Sequence, residues 1–244
     1  MSTATTTYTR YEMLRTFRST RFFIFSLAFP IVLFLLVAGP NRDQELGGIS
    51  FPLYYMTGMA SWGSMMAVMA SGARIAGERS VGWNRQLRIT PLPTRAYFRA
   101  KIMTGYAMAA LTIGLLYLAG SMLGVRLSAI EWLTMTGLIL VGLIPFAVLG
   151  VLLGHLLTVD SMGPAMGGIT ALFALLGGAW GPIADSGALH AIAQALPSYW
   201  LVQAGQAARS GDGWPMRGWL VIAIWTAVLT RLAVRVYRRD TARV

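Results

Sequence analysis

The chain has 244 residues, of which 56% are hydrophobic and only 12% charged, with a mean hydropathy of +0.60; soluble domains carry about 25% charged residues, which excludes an ordinary soluble fold. Its formal net charge of +11 would point to nucleic acid in a soluble protein, but the basic residues cluster between long apolar runs, as loops facing an anionic leaflet do, so no nucleic-acid partner is expected. The absence of cysteine excludes disulfides, thiolate metal sites and a cysteine nucleophile.

The N-terminus is Thr-rich and lacks a small-residue cleavage site after the first apolar run, so the first span is expected to be retained. Ahead of that run, residues 8–21 carry Tyr8, Tyr11, Leu14 and Phe17 every three positions, with Arg15, Arg18 and Arg21 on another face. This spacing predicts a basic amphipathic helix lying along the cytoplasmic surface.

Apolar runs follow at roughly 22–39, 53–77, 102–124, 132–157, 162–180 and 218–236, each long enough for a hydrocarbon core of about 30 Å. Lipid leaves no partner for free backbone groups, so these runs are read as helices, and no alternating strand pattern competes with them. The fold class is therefore all-α, one polytopic membrane domain over 1–244 with six spans. The fourth and fifth runs are separated only by His155–Gly163, where one long helix plus a re-entrant piece is the alternative to two spans.

Sixteen of the twenty basic residues fall on one side: four in the N-terminal arm, seven from Arg74 to Lys101, and five from Arg231 to Arg243. The other side holds Arg42, Arg126, Arg209 and Arg217. Both termini are thus expected in the cytoplasm, with an even number of spans.

Between the fifth and sixth spans, residues 181–217 are too apolar for a plain loop. Leu196, Tyr199 and Trp200 interrupt it, and Pro197 divides it into two short helices. The expectation is a re-entrant segment in the outer half of the membrane, with Trp200, Trp214 and Trp219 at the interface.

Catalytic signals are scarce. The chain has no Gly-x-x-x-x-Gly-Lys-Ser/Thr, and its single lysine, Lys101, follows Ala100, so it binds no ATP through a P-loop. His155 and His190 are far apart in sequence, and no metal site is expected. Ser71 and His155 are the residues available to an intramembrane hydrolase, which remains one alternative; a non-transporting scaffold or sensor subunit is the other. The middle of each run lacks Asp, Glu, Lys, Arg and His. Ion-coupled carriers use such groups at membrane depth, so energy for transport would enter from outside the bilayer. Met56, Met59, Met65, Met66 and Met69 in the second run are candidates for a pathway lining, since methionine surfaces adapt to varied shapes.

The sharpest pattern is residues 78–91, after the second run: Glu78-Arg79-Ser80-Val81-Gly82-Trp83, then Arg85, Leu87, Arg88 and Thr90-Pro91. Trp83 and Leu87 share a face of a short helix, which Thr90-Pro91 ends. In these residues the chain resembles the permease subunits of type-2 ABC exporters, the class of daunorubicin-type drug exporters and polysaccharide exporters. The shared pattern is acidic-basic-x-x-Gly at Glu78–Gly82, then Leu87, Thr90-Pro91 and Lys101 before the third span, and the likeness extends over nearly the whole chain, including Leu196-Pro197. Trp83-Asn84-Arg85 departs from the family's usual residues.

The resemblance implies that 78–91 is a coupling helix seated on a separate ATPase subunit, which binds ATP and Mg, while this chain binds no cofactor. Tyr11, Leu14, Arg15, Phe17 and Arg18 would belong to a connecting helix also touching that ATPase. It further implies a second permease copy or a related permease as partner, membrane lipids around it, and a place in the bacterial inner membrane, exporting an amphipathic or lipid-like cargo.

Overall fold

The computed structural model describes residues 3–18, 24–46, 48–83, 86, 89–90, 92–183 and 186–242. Among them the protein is all-α apart from a hairpin of two-residue strands, β1 (Glu45–Leu46) and β2 (Ile49–Ser50), with Leu46 opposite Ile49. The arm forms α1 (Thr3–Phe17). A π-helical turn at Ile24–Ala28 leads into α2 (Phe29–Ala38); it lies directly before Pro30, whose ring cannot donate into the preceding turn.

Helix α3 (Phe51–Ser80) has 30 residues, about 45 Å of helix, and is the axle of the bundle. It packs against α2, α4 (Thr94–Met122), α6 (Ile144–Leu156), α7 (Val159–Gly177) and α9 (Pro197–Ser210). Every residue from 52 to 65 is buried. This explains its composition: a helix surrounded by protein can carry Tyr54, Thr57, Ser61 and Ser64 without exposing them to lipid. Its end is fixed by Gly82 at φ +70°, a left-handed C-cap position where a side chain would be strained.

Helix α4 runs antiparallel to α3. Gly120 sits on Met56 near one end, and the Ser71 hydroxyl donates to the Lys101 carbonyl at 2.6 Å near the other. Helices α5 (Ala129–Gly142) and α6 form one bent rod. Pro145 lies just past the break at Leu143, having no N–H for the preceding turn. The rod runs parallel to α3, backbone against backbone: a Cβ on Gly150 would lie 2.3 Å from the Met69 carbonyl oxygen, and one on Gly154 2.5 Å from that of Gly72.

The chain then reverses. Thr158 and Ser161 make a capping box at the start of α7, and the Phe173 ring near its end meets Phe146 near the start of α6, centroids 5.1 Å apart. The fourth and fifth apolar runs are therefore two antiparallel helices, not one long helix, and the break falls at Leu157–Thr158. Two short helices, α8 (Gly187–Gln194) and α9, precede the last helix, α10 (Met216–Ala242). Pro197 stands at the first position of α9, dividing the segment where the sequence places the break.

Helix α10 packs on α6 and brings Tyr237 to ring contact with Phe98 and His155, centroids 5.3 and 5.5 Å apart. One end of the bundle thus gathers α1, the end of α3, the start of α4, and the ends of α6 and α10. The hairpin, α8 and the start of α10 lie at the other end.

Four helices are long and apolar enough to cross a membrane by length and composition: Thr94–Met122, Ala129–Leu156 (the bent α5–α6 rod), Val159–Gly177 and Met216–Arg239. Six spans were expected from the sequence. The other two runs are α3, long enough but less apolar, and α2, whose described part is a shorter apolar helix.

Candidate functional site

The end of the bundle where α3 ends and α4 begins holds the densest polar cluster among the described residues. Lys101, on the second turn of α4, is buried, and its Nζ lies 2.5 Å from Glu12 Oε1 on α1 and 2.5 Å from Glu78 Oε1 on α3. Both carboxylates are buried as well. The Tyr97 hydroxyl donates to Glu78 Oε2 at 2.5 Å, and the Lys101 ammonium stands 5.4 Å from the centre of the Tyr97 ring. Arg15, mostly exposed, reaches Glu78 Oε1 at 3.2 Å, while Arg74 donates to the Thr16 hydroxyl. Tyr8 packs on Tyr97, ring centroids 6.0 Å apart. Its burial, with the Glu12 and Glu78 carboxylates near, holds its hydroxyl well above the usual phenol range, so it stays protonated.

The sequence signals this cluster only faintly, by a single lysine among many arginines. Arginine is always charged and forked, whereas the compact lysine ammonium fits between two carboxylates at one point. Buried ion pairs are weak evidence for stability, because desolvation offsets much of the attraction, but removing one partner strands the other. The cluster joins α1, α3 and α4 through one buried ammonium.

The predicted coupling residues divide accordingly. Glu78 is turned inward onto Lys101 rather than out to solvent. Arg79 spans to α6, its guanidinium donating to the carbonyl oxygens of His155 at 2.8 Å and Gly154 at 3.3 Å. Gly82 caps α3 and Trp83 is exposed beyond it, as is Thr90. Arg85, Leu87, Arg88 and Pro91 lie outside the described residues, so the short helix expected there does too.

The arm is a helix, as expected, but over Thr3–Phe17 instead of starting at 8, and Arg21 lies outside the described residues. Its faces differ from the expected division. Thr5, Glu12 and Thr16 form the buried edge, Tyr8 turns toward Tyr97, and Tyr11, Leu14, Arg15, Phe17 and Arg18 are exposed.

Of the pathway candidates, Met56, Met59, Met65 and Met69 are buried in the core of the chain, and Met66 alone is partly open. In the outer segment Pro197 and Trp200 are buried, and Leu196 and Tyr199 half-buried. The Trp200 indole donates to the Gln194 carbonyl at 3.0 Å. Trp214 is buried too, so of the three expected interfacial tryptophans only Trp219 has the exposure of an anchor. Helix α9 reaches inward between its neighbours: Gly205 lies against Thr57 of α3, and Leu201 against Gly142 of α5. Ser71 and His155, the residues open to a hydrolase reading, are engaged otherwise. Ser71 donates to the Lys101 carbonyl, and His155 sits between the Phe98 and Tyr237 rings. No group of three or more His, Cys, Asp or Glu suited to a metal occurs among the described residues.

A helical bundle with four membrane-length apolar helices, and its arm, loop and ion cluster gathered at one end, is the architecture of a multi-pass membrane protein. The chain belongs to the ABC-2 family of transporter proteins, whose family model matches residues 40–235. It is also similar to the "Putative transport permease YvfS" of Bacillus subtilis (strain 168), 34% identical over 194 residues that cover 77% of this chain and 78% of that relative. Membership makes the chain the transmembrane component of an ABC transporter, a permease rather than an enzyme, which associates with an ATPase subunit.

Proposed function

We propose that the chain forms the translocation pathway of an ATP-driven exporter in the bacterial inner membrane. It crosses the membrane six times with both termini in the cytoplasm, and pairs with a second copy or a related permease. Two ATPase subunits, which hold ATP and Mg, supply the energy. The two crossings beyond the four most apolar helices are α2 with the residues before it, and α3, which needs little apolarity because protein encloses it.

The observation that carries this reading is the Glu12–Lys101–Glu78 cluster. Glu78 and Lys101 bracket the 78–91 loop, and Glu12 belongs to the arm. A push on exposed Trp83 and the arginines of the loop would therefore move α1, α3 and α4 as one body. ATP-driven closure of the ATPases supplies that push, which accounts for a bundle whose apolar runs lack charged centres.

The outer segment serves as a re-entrant cap over the exit, supported by the depth at which Gly205 and Leu201 pack. The cargo is amphipathic or lipid-like, as in the drug and polysaccharide exporters that the loop resembles. With four methionines of α3 sealed in the core, the pathway runs along the open face of α3 near Met66 and between the two permeases.

Co-purification with the ATPase subunit tests the reading. Trp83→Ala or Arg85→Glu is expected to weaken the complex and lower coupled ATP hydrolysis. Full assembly and full coupling in both variants would refute the docking role.

A further inference from the structure

Helix α9 buries one side and turns a polar face away from it, on which Tyr199, Gln203 and Gln206 recur at helical spacing. Two hollows, of about 550 and 210 Å³, share that face, and all three side chains line both. The larger falls within the ~300–1,000 Å³ of ligand sites, and Ile49 of the hairpin, Trp200 and Trp214 add apolar wall to it. Neither glutamine amide nor the Tyr199 hydroxyl has a hydrogen-bond partner among the described residues.

Two donors beside them are also unmatched. Trp214 is 4% exposed, and its Nε1 meets no acceptor among the described residues. On α8 the Gln194 amide nitrogen lies 2.7 Å from His190 Nε2, and Arg217 donates to the oxygen of the same amide. A guanidinium only donates, so it fixes that amide with its NH2 on the imidazole. Nε2 therefore accepts, and the ring's proton sits on Nδ1, which is buried and has no partner among the described residues. His190 lines the smaller hollow. The nearby charges are already engaged: Arg209 lies 3.7 Å from Glu131, and Arg217 is held on Gln194.

These groups select a kind of occupant. An anion would meet the donors but also two amide oxygens that it cannot satisfy, and a cation would meet the reverse. A hydroxyl both donates and accepts, so it suits either end of an amide. Water does so too, yet it gains nothing from the rings of Tyr199, Trp200 and Trp214. A pyranose sets an apolar C–H face beside its hydroxyls, and aromatic walls favour burial of such a face.

We propose that this cleft binds a neutral pyranose, its hydroxyls on Gln203, Gln206 and Tyr199 and its apolar face against the aromatic wall. The proposal deepens the exporter reading and rests on it, with this end of the bundle facing outward. It makes the head of the amphipathic cargo a sugar, received at the exit.

The test uses the full permease–ATPase complex in phosphatidylcholine nanodiscs. These carry equal amounts of diglucosyl-diacylglycerol and phosphatidylglycerol with matched acyl chains, and native mass spectrometry reads the retained lipid. The complex is expected to retain the glycolipid over both phospholipids. Gln203→Leu and Gln206→Leu each lower that preference about fivefold, and the double variant abolishes it. Gln44→Leu, at an exposed glutamine outside the cleft, leaves it unchanged. Free maltose separates the two sources of a pyranose. Glycolipid that stays in excess maltose makes the ligand lipid-borne, whereas maltose that binds and strips the glycolipid makes it a free saccharide; either supports the cleft. A cargo role adds that the glycolipid raises ATP hydrolysis in the native complex but not in the double variant; retention without that rise overturns the cargo assignment. Equal retention of the three lipids without maltose binding, an unaltered preference in the double variant, or an equal loss in Gln44→Leu would overturn the site. ATPase co-purification reads the exporter assignment separately. A complex that assembles yet prefers no sugar defeats the cleft alone, and sugar retention by a chain that holds no ATPase defeats the exporter assignment alone.

Discussion

Lys101 and Glu78 are 23 residues apart in sequence, yet Nζ and Oε1 meet at 2.5 Å, closing the loop between α3 and α4 at its base. Glu12 completes the site from the arm. Lys101→Met is expected to leave two buried carboxylates facing each other and to destabilise the protein by about 3–5 kcal/mol, as loss of one partner of a buried pair does. Adding Glu12→Gln and Glu78→Gln should restore much of that loss, because the neutral triple variant strands no charge. Thermal unfolding of the three proteins, native, single and triple variant, in one detergent checks this; a triple variant no more stable than Lys101→Met alone would show that the cluster is not an ion-pair device.

What could be read in the sequence, and what could not, follows from the physics of each element. Helices α4 and α10 stand out by hydropathy because lipid requires apolar surface of them. The loop pattern at Glu78–Gly82 could be read because its glycine serves a local need, the left-handed cap of α3. The Glu12–Lys101 pair could not: its partners lie 89 residues apart, and no local spacing records a tertiary ion pair. The methionines of α3 were equally opaque, since a stripe that packs against neighbours and one that lines a path have the same sequence. The bend at Leu143 left only Pro145 as a sign within an apolar run that continues unbroken.

The contact of α3 with α6 gives a sharper mutational expectation. Both sides present glycine, and a Cβ on Gly150 would lie 2.3 Å from the Met69 carbonyl oxygen and 2.6 Å from its Cα. Backbone cannot yield as a flexible side chain can, so Gly150→Val must separate the two helices along their length. Gly167→Val on α7, where nothing lies within 4 Å of the added carbon, is the control. Gly150→Val should lose yield and melt earlier, whereas Gly167→Val should leave the chain's own thermal stability close to that of the native protein; equal behaviour of the two would contradict the packing.

Topology can be read directly because the native chain has no cysteine. Single cysteines at Ser80 and Arg239 are expected to react with a membrane-impermeant maleimide only after the cells are opened. Cysteines at Asp43 and Asp212, near the hairpin and after α9, should react in intact spheroplasts. Labelling of Asp43 and Ser80 from the same side would remove the crossing assigned to α3, and with it the count of six.

The last expectation concerns Gly82, where α3 hands over to the 78–91 loop at φ +70°. An L side chain in this region costs about 1–2 kcal/mol, and the chain can relieve that strain by re-aiming Trp83 rather than by unfolding α3. Gly82→Ala should therefore spare the bundle, leaving the thermal transition within a few degrees, but lower the ATP hydrolysis coupled to transport in the reconstituted complex. Asparagine visits the left-handed region more readily than other residues, so Gly82→Asn should recover part of the activity that Gly82→Ala loses. The open space around this glycine, with nothing within 4 Å of the added carbon, removes a steric clash as the explanation and leaves backbone conformation. If Gly82→Ala couples as well as the native chain, the direction in which α3 delivers Trp83 is immaterial to the ATPase.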